Sequence, residues 1–342
     1  MIGLRHRNLK LFTVALAFFA ITITSFLLNY TQNSVLDMWN PEKYFHFSGP
    51  LARFLASMRR PCGCETCVSE MDISLWFDEK FNVTFSPFLT KENGFISEST
   101  YKWWTRLQGE RNPMDINKAM EELFKVIPGE SSLQDRSPYQ CRSCAVVGNS
   151  GNLKESDYGG EIDSHTFVFR MNHAPTEKFE KDVGNKTTHH FVYPESMRDL
   201  PENVSMVLIP FKTLDLQWLV SALTSGTINF TYAPVPRRIK VAKEKILVYH
   251  PEFMKYVYDK WSLHHGRYPS TGLLSIVFAL HICDKVDLYG FGADSKGNWH
   301  HYFENNQAAG AFRQTGVHDG DFEAELIGNL TSIKKISVFK GR

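Results

Sequence analysis

The sequence has no dominant charge. Lys plus Arg is 38 and Asp plus Glu is 37, a formal net charge of +1 over 342 residues. A chain whose main partner is nucleic acid usually carries a strongly basic face, and this balance argues against one. Several enzyme signatures are also missing. There is no G-x-S-x-G elbow and no H-E-x-x-H zinc helix, which argues against a hydrolase of either design. Internal repeats and low-complexity segments are absent. The composition is 43% hydrophobic and 22% charged, which suits a folded chain with an ample core and excludes a disordered one. The length fits one large domain or two small ones.

One long uncharged run stands out, LFTVALAFFAITITSFLL at residues 11–28. Eighteen helical residues rise about 27 Å, close to the hydrocarbon thickness of a bilayer. Arg5, Arg7 and Lys10 precede it, and Asp37, Glu42 and Lys43 follow. Positive residues stay cytoplasmic, so residues 1–10 are expected to be a cytosolic tail and 11–28 a signal-anchor. Residues 29–60 are then a stem and 61–342 a lumenal domain. A cleaved signal peptide is the weaker reading, because the run is long for one and no small-x-small site closes it. Leu51, Phe54, Leu55 and Met58 have helical spacing within the stem. N-x-[ST] sequons fit a lumenal chain. They lie at Asn29, which is close to the membrane, and at the glycosylation candidates Asn82, Asn185, Asn203, Asn229 and Asn329.

The cysteines are Cys62, Cys64, Cys67, Cys141, Cys144 and Cys283. All follow the apolar run, where disulfides persist. Two C-x-x-C pairs invite a zinc reading, but they are too far apart for a zinc ribbon and leave two cysteines over. Three disulfides are the stronger reading, and spacing does not choose their pairing. A bridge closing a long loop to Cys283 would be worth roughly 4–5 kcal/mol in the chain-entropy model.

Short apolar runs mark expected strands at 145–148, 165–170, 190–193, 206–210, 246–250, 286–289 and 336–339. Helical patterns at 214–223, 252–261, 271–283 and 322–330 alternate with the later ones, and another lies at Met120–Ile127 before Pro128-Gly129. Strands alternating with helices imply an α/β fold with a mostly parallel sheet. Ligands bind such sheets beyond the carboxyl ends of the strands.

Four segments carry chemistry. In CAVVGNSGNL, residues 144–153, a strand runs into Gly148-Asn149-Ser150-Gly151, where backbone N–H groups and two polar side chains can meet phosphate or ribose. It is neither G-x-G-x-x-G nor a P-loop, and alone it is also an ordinary turn. In the segment 269–292, Ser270-Thr271-Gly272 opens an apolar helix with an N-cap and an anion-binding signature, and the strand after it ends at Gly292. The third is His301-Tyr302-Phe303-Glu304. The fourth is HDGDFE, residues 318–323, where the dipole of a helix start would keep His318 neutral and fit to be a base. Glu323 is expected to orient that histidine. Asp319-Gly320-Asp321 resembles a metal-holding D-x-D but is read as acidic capping of the last helix.

These segments, in this order, resemble the large, small, third and very small sialylmotifs of animal sialyltransferases, glycosyltransferase family 29. YKWWTRLQGE and RYPSTGLLSI look close to the α2,3 subgroup that acts on Galβ1-3GalNAc. The resemblance implies a variant GT-A (Rossmann-like) fold, with a seven-stranded mostly parallel sheet flanked by helices. It implies CMP-sialic acid as donor and an inverting transfer, without metal or other cofactor, to the 3-hydroxyl of galactose on glycoproteins or glycolipids. By similarity, Asn149, Ser150, Asn172, Ser270, Thr271, Gly272 and Gly292 would bind the donor. Gln108, Tyr232 and Tyr268 would face the acceptor. His301 would hold the departing phosphate and His318 would be the base. The family's disulfides would map to Cys62–Cys67, Cys64–Cys141 and Cys144–Cys283. The family also implies a single-pass type II protein of the Golgi membrane, with a form released after stem cleavage. A metal-dependent transferase using a UDP-sugar is the runner-up, and a non-catalytic lumenal glycan-binding protein is the alternative from another class.

Overall fold

In a computed structural model of the chain, the described residues are 16, 19–24, 61–129, 139–293, 300–305 and 316–341. The chain divides into two units, Met1–Arg59 and Arg60–Arg342. In the first, residues 16 and 19–24 are helical and exposed. No helix among the described residues is long and apolar enough to cross a membrane. The expected tail, most of the expected anchor at 11–28, the stem and its helix at Leu51–Met58 lie outside the described residues.

The second unit is built on a seven-stranded sheet in which every pair is parallel. Its strands are β1 (Ser143–Val147), β2 (Phe167–Met171), β3 (His189–Val192), β4 (Ser205–Leu208), β5 (Ile246–Val248), β6 (Lys285–Tyr289) and β7 (Ser337–Phe339). The expected strands are all present, with ends shifted by one or two residues. The spatial order is β5-β4-β3-β2-β1-β6-β7. The chain therefore builds outward from β1 to β5, then crosses back to place β6 on the other side of β1. That reversal makes β1/β6 the switch point, where the first turns of an α/β sheet part to leave a crevice.

Four helices matter for the site: α1 (Ile116–Val126), α2 (Thr213–Leu223), α3 (Thr271–Ile282) and α4 (Gly320–Ser332). Ser270 caps α3 by accepting from the N–H of Leu273 at 3.1 Å. The helix is apolar all round and buried from Leu273 to Ile282, as a helix packed on every side must be. It packs on β1, β2 and β6. Phe278 anchors it, with ring centroids 5.0 Å from Phe88, 5.8 Å from Phe169 and 5.0 Å from Phe191. Truncating a phenylalanine so placed costs about 3–5 kcal/mol. Past its end, Cys283 is bonded to Cys144 in β1. The C-terminal end of α3 is thus tied to the start of β1.

The other disulfides join Cys62 to Cys67 and Cys64 to Cys141. The one group among the described residues spaced for a metal ion is Cys62, Cys64 and Asp284, and both of its sulfurs are in disulfides. Asn82, Asn185, Asn203, Asn229 and Asn329 are all exposed.

Candidate active site

The turns after β1 and β6 are laced together. Gly148 N–H donates to the Tyr289 carbonyl at 2.7 Å and Ser150 N–H to the Gly290 carbonyl at 3.0 Å. Ser150 Oγ donates to the Gly292 carbonyl at 2.6 Å. A Cβ on Gly148 would stand 2.4 Å from the Gly290 oxygen, so only glycine allows this approach. Asn149 Nδ2 donates to the Met171 carbonyl at 3.1 Å. Asn172, just past β2, takes the left-handed conformation at φ +58°. Its carbonyl accepts from His190 Nε2 at 2.7 Å, and burial holds that imidazole neutral by pushing its pKa down to about 4.

The side-chain oxygens of Asn149 and Asn172 are both buried and without a partner. An unmet buried acceptor is destabilising by about 1–3 kcal/mol. Both residues line a cavity of about 620 Å³ at the β1/β6 crevice. The pair therefore suits a ligand that brings N–H or O–H donors.

The start of α3 forms the opposite wall. Ser270, Thr271 and Gly272 line the cavity at the end of the helix where N–H groups lack intrahelical partners. Glu323 in α4 braces this turn, accepting from Ser270 N–H at 2.8 Å and from Ser270 Oγ. Desolvation pushes the Glu323 carboxyl up to about 7. Glu323 was expected to orient His318, and instead its two oxygens are engaged by Ser270. His301 pairs with Ser150 through a short antiparallel bridge, and its Nδ1 lies 2.8 Å from Glu304 Oε1.

His318 precedes α4, and its Nδ1 lies 2.8 Å from the Tyr268 carbonyl. A carbonyl can only accept, so Nδ1 carries the proton and Nε2 is the basic nitrogen of the neutral ring. Burial, foremost, lowers the pKa of His318, where the sequence suggested the helix dipole. Asp319 caps α4, accepting from Phe322 N–H at 3.0 Å through Oδ1, while Oδ2 lies 2.9 Å from His265 Nδ1. A carboxylate committed to a cap and to a histidine is poorly placed as half of a metal-holding pair.

All the catalytic, donor and acceptor candidates named from the sequence line this one cavity, Gln108, Tyr232 and Tyr268 included. Tyr193, Phe211 and His300 line it too and had no motif to mark them, while Phe291 falls within the segment 269–292. Tyr193 directly follows β3 and Phe211 follows β4, so the strand-end rule, applied to every strand, would have found them.

The sequence profile of glycosyltransferase family 29 (sialyltransferase) matches residues 88–335. The CMP-N-acetylneuraminate-beta-galactosamide-alpha-2,3-sialyltransferase 1 of Gallus gallus is 61% identical to this chain over 344 residues, covering 100% of each. The Homo sapiens protein of the same name is 57% identical over 345 residues, again covering 100% of each. The crystal structure of a mammalian sialyltransferase has a TM-score of 0.78 and 61% identity, covering 83% of this chain and 100% of that one. A structure of a mammalian sialyltransferase in complex with Gal-beta-1-3GalNAc-ortho-nitrophenol matches with the same TM-score and identity over 82% of this chain and 100% of that one. Profile, full-length identity and fold agree, and the chain belongs to glycosyltransferase family 29, the sialyltransferases.

Proposed function

We propose that this chain moves sialic acid from CMP-sialic acid to the 3-hydroxyl of the terminal galactose in Galβ1-3GalNAc on glycoproteins or glycolipids, with inversion and without a metal. The observation that carries the reading is the tautomer of His318, whose proton is committed to the Tyr268 carbonyl in a cavity shared by the donor and acceptor candidates. Full-length identity to the chicken and human relatives supports the α2,3 linkage and the galactosamide acceptor.

The residues fit the chemistry. The cytosine amine and ribose hydroxyls of the donor supply the N–H and O–H groups that Asn149 and Asn172 lack. Ser150 and Gly292 shape the turn around them. A single phosphate leaves as CMP, and one phosphate needs less neutralising charge than a diphosphate. The amides of Ser270, Thr271 and Gly272, with His301 steadied by Glu304, meet that need. The galactose hydroxyl is a weak nucleophile. Nε2 of His318 takes its proton as the hydroxyl attacks the anomeric carbon and the bond to phosphate breaks. The transition state resembles an oxocarbenium ion, and the donor's own carboxylate helps to stabilise it.

The wider reading is a variant GT-A domain at 61–342 on a stem at 29–60, with a membrane anchor at 11–28 and a cytosolic tail at 1–10. Three disulfides and exposed sequons support a lumenal, oxidising compartment, which we assign to the Golgi, for a type II protein with a form released by stem cleavage. Transfer from CMP-sialic acid to Galβ1-3GalNAc, Galβ1-4GlcNAc and GalNAc, each with and without EDTA, tests the activity. Preference for the first acceptor with no effect of EDTA is expected. Loss of transfer in EDTA would overturn the metal-free step, and transfer from a UDP-sugar with none from CMP-sialic acid would favour the metal-dependent design.

A further inference from the structure

The wall that carries Gln108, Tyr232 and Tyr268 is backed by a buried charge cluster that the mechanism above does not use. Lys212 stands immediately before α2 and is 3% exposed. Its ammonium lies 2.7 Å from Asp215 Oδ1 and 3.8 Å from Glu195 Oε1. It also donates to Gln108 Oε1 and sits 5.0 Å from the centroid of the Tyr232 ring. Glu195 in turn accepts from the Thr231 hydroxyl, beside Tyr232. Asp215 Oδ2 accepts from the Phe211 N–H at 2.8 Å. One hidden cluster therefore touches Gln108, Phe211 and the Tyr232 loop from behind.

A buried ion cluster is a poor source of stability compared with an apolar replacement. What it supplies here is direction. An ammonium only donates, so Gln108 must turn its amide oxygen toward Lys212. Its NH₂ then faces the other way, as a donor on the side of the cavity that Gln108 lines.

We infer that Lys212 is a positioning residue for the acceptor sugar: by holding the Gln108 oxygen it fixes the Gln108 NH₂ as a donor to one oxygen of a neutral terminal hexose. Through the Tyr232 ring it also steadies the aromatic face beside that sugar. This rests on the assignment of Gln108, Tyr232 and Tyr268 to the acceptor. Transfer by the unmodified chain tests that assignment separately, so the two can fail independently.

The test is a kinetic split in the full chain. Lys212→Met combined with Asp215→Asn removes the ammonium and its main counter-charge together, and Glu195, whose carboxyl burial pushes up to about 7, can take a proton. The acceptor KM is expected to rise at least tenfold while the donor KM stays within twofold. Adding Gln108→Leu to that variant should raise the acceptor KM little further, because Lys212 acts through Gln108. An unchanged acceptor KM in the folded variant, or donor and acceptor KM rising together, would overturn the inference. If the double variant does not fold, the unmodified protein decides. Galactosides with each non-reacting hydroxyl replaced by fluorine or by hydrogen are compared. At one position the fluoro sugar, which still accepts, should have a KM several-fold lower than the deoxy sugar, and Gln108→Leu should abolish the difference. If no position shows it, the inference is wrong.

Discussion

The Nδ1–H of His318 donates to the main-chain carbonyl of Tyr268 at 2.8 Å, and the two rings meet edge to face with centroids 5.0 Å apart. The loop around Tyr268 is itself tied to the histidine's loop, because Arg267 N–H donates to the Val317 carbonyl at 2.8 Å. One contact thus fixes both the tautomer of His318 and its distance from Tyr268. A carboxylate orients the histidine of a catalytic triad in the same way, and here a neutral carbonyl does so.

His318→Ala is expected to reduce kcat about 10²–10⁴-fold, the range for one acid–base group. The fold should survive, because the hydrogen bond lost to the Tyr268 carbonyl joins one loop to another and lies outside the sheet. Burial lowers the His318 pKa from 6.5, so the ring stays neutral and able to accept a proton at pH values where an ordinary histidine is protonated. The acid limb of the pH profile should therefore fall below pH 6.5. A limb well above that, or near-normal turnover in the variant, would contradict the assignment.

Glu323→Gln should change how stability depends on pH. The folded state holds the Glu323 carboxyl at about 7, against an ordinary 4.5, so it binds a proton that the unfolded chain has already released. Its contribution is present below pH 4.5 and is lost as pH rises through 7. The variant stays neutral and should flatten that slope in thermal unfolding between pH 5 and 8. Losing one of two hydrogen bonds from Ser270 should also cost about 1 kcal/mol and weaken donor binding. Identical slopes for the two proteins would count against the brace.

Removing the Cys144–Cys283 bridge by Cys144→Ala with Cys283→Ala is expected to lower the unfolding free energy by about 5 kcal/mol, because it opens a long loop. The sequence separation is 139 residues. Both cysteines are fully buried, and the bridge ties β1 to the end of α3. Denaturant unfolding of the wild type and the variant measures the difference. A loss below 1 kcal/mol would mean that packing of α3 alone holds the crevice in shape.

Asp319→Ala should act on the helix and not on the chemistry. It removes the cap of α4 and the contact to His265, a loss of about 1 kcal/mol. Transfer by the wild type should be the same in EDTA and in added Mn²⁺. Activity restored to a stripped enzyme by Mn²⁺ alone, and abolished by Asp319→Ala, would support the D-x-D reading instead.

Much of the fold was legible because the sheet is parallel and its inner strands are buried, so those strands read as short apolar runs. Val146, Phe169, Val207 and Leu288 sit in such runs and are all fully buried. The strand order was not legible, since nothing local in residues 285–289 says that β6 returns beside β1. The site was legible where residues cluster in the chain, as in Gly148–Gly151 and His318–Glu323. It was not legible where contacts join distant segments. Lys212, Glu195 and Gln108 lie far apart in sequence and share no spacing pattern, although they meet at one ammonium. The partner of Glu323 was misassigned for the same reason: His318 is close in sequence, while Ser270 is close in space.

The most direct test is the structure of the product. CMP-sialic acid and Galβ1-3GalNAc are incubated with the full chain in EDTA, and the isolated trisaccharide is analysed by NMR for linkage and anomer. A single α2,3 bond from sialic acid to galactose is predicted, together with its loss in His318→Ala. Transfer to another hydroxyl, retention of the donor's anomeric configuration, or no product without metal would contradict the account.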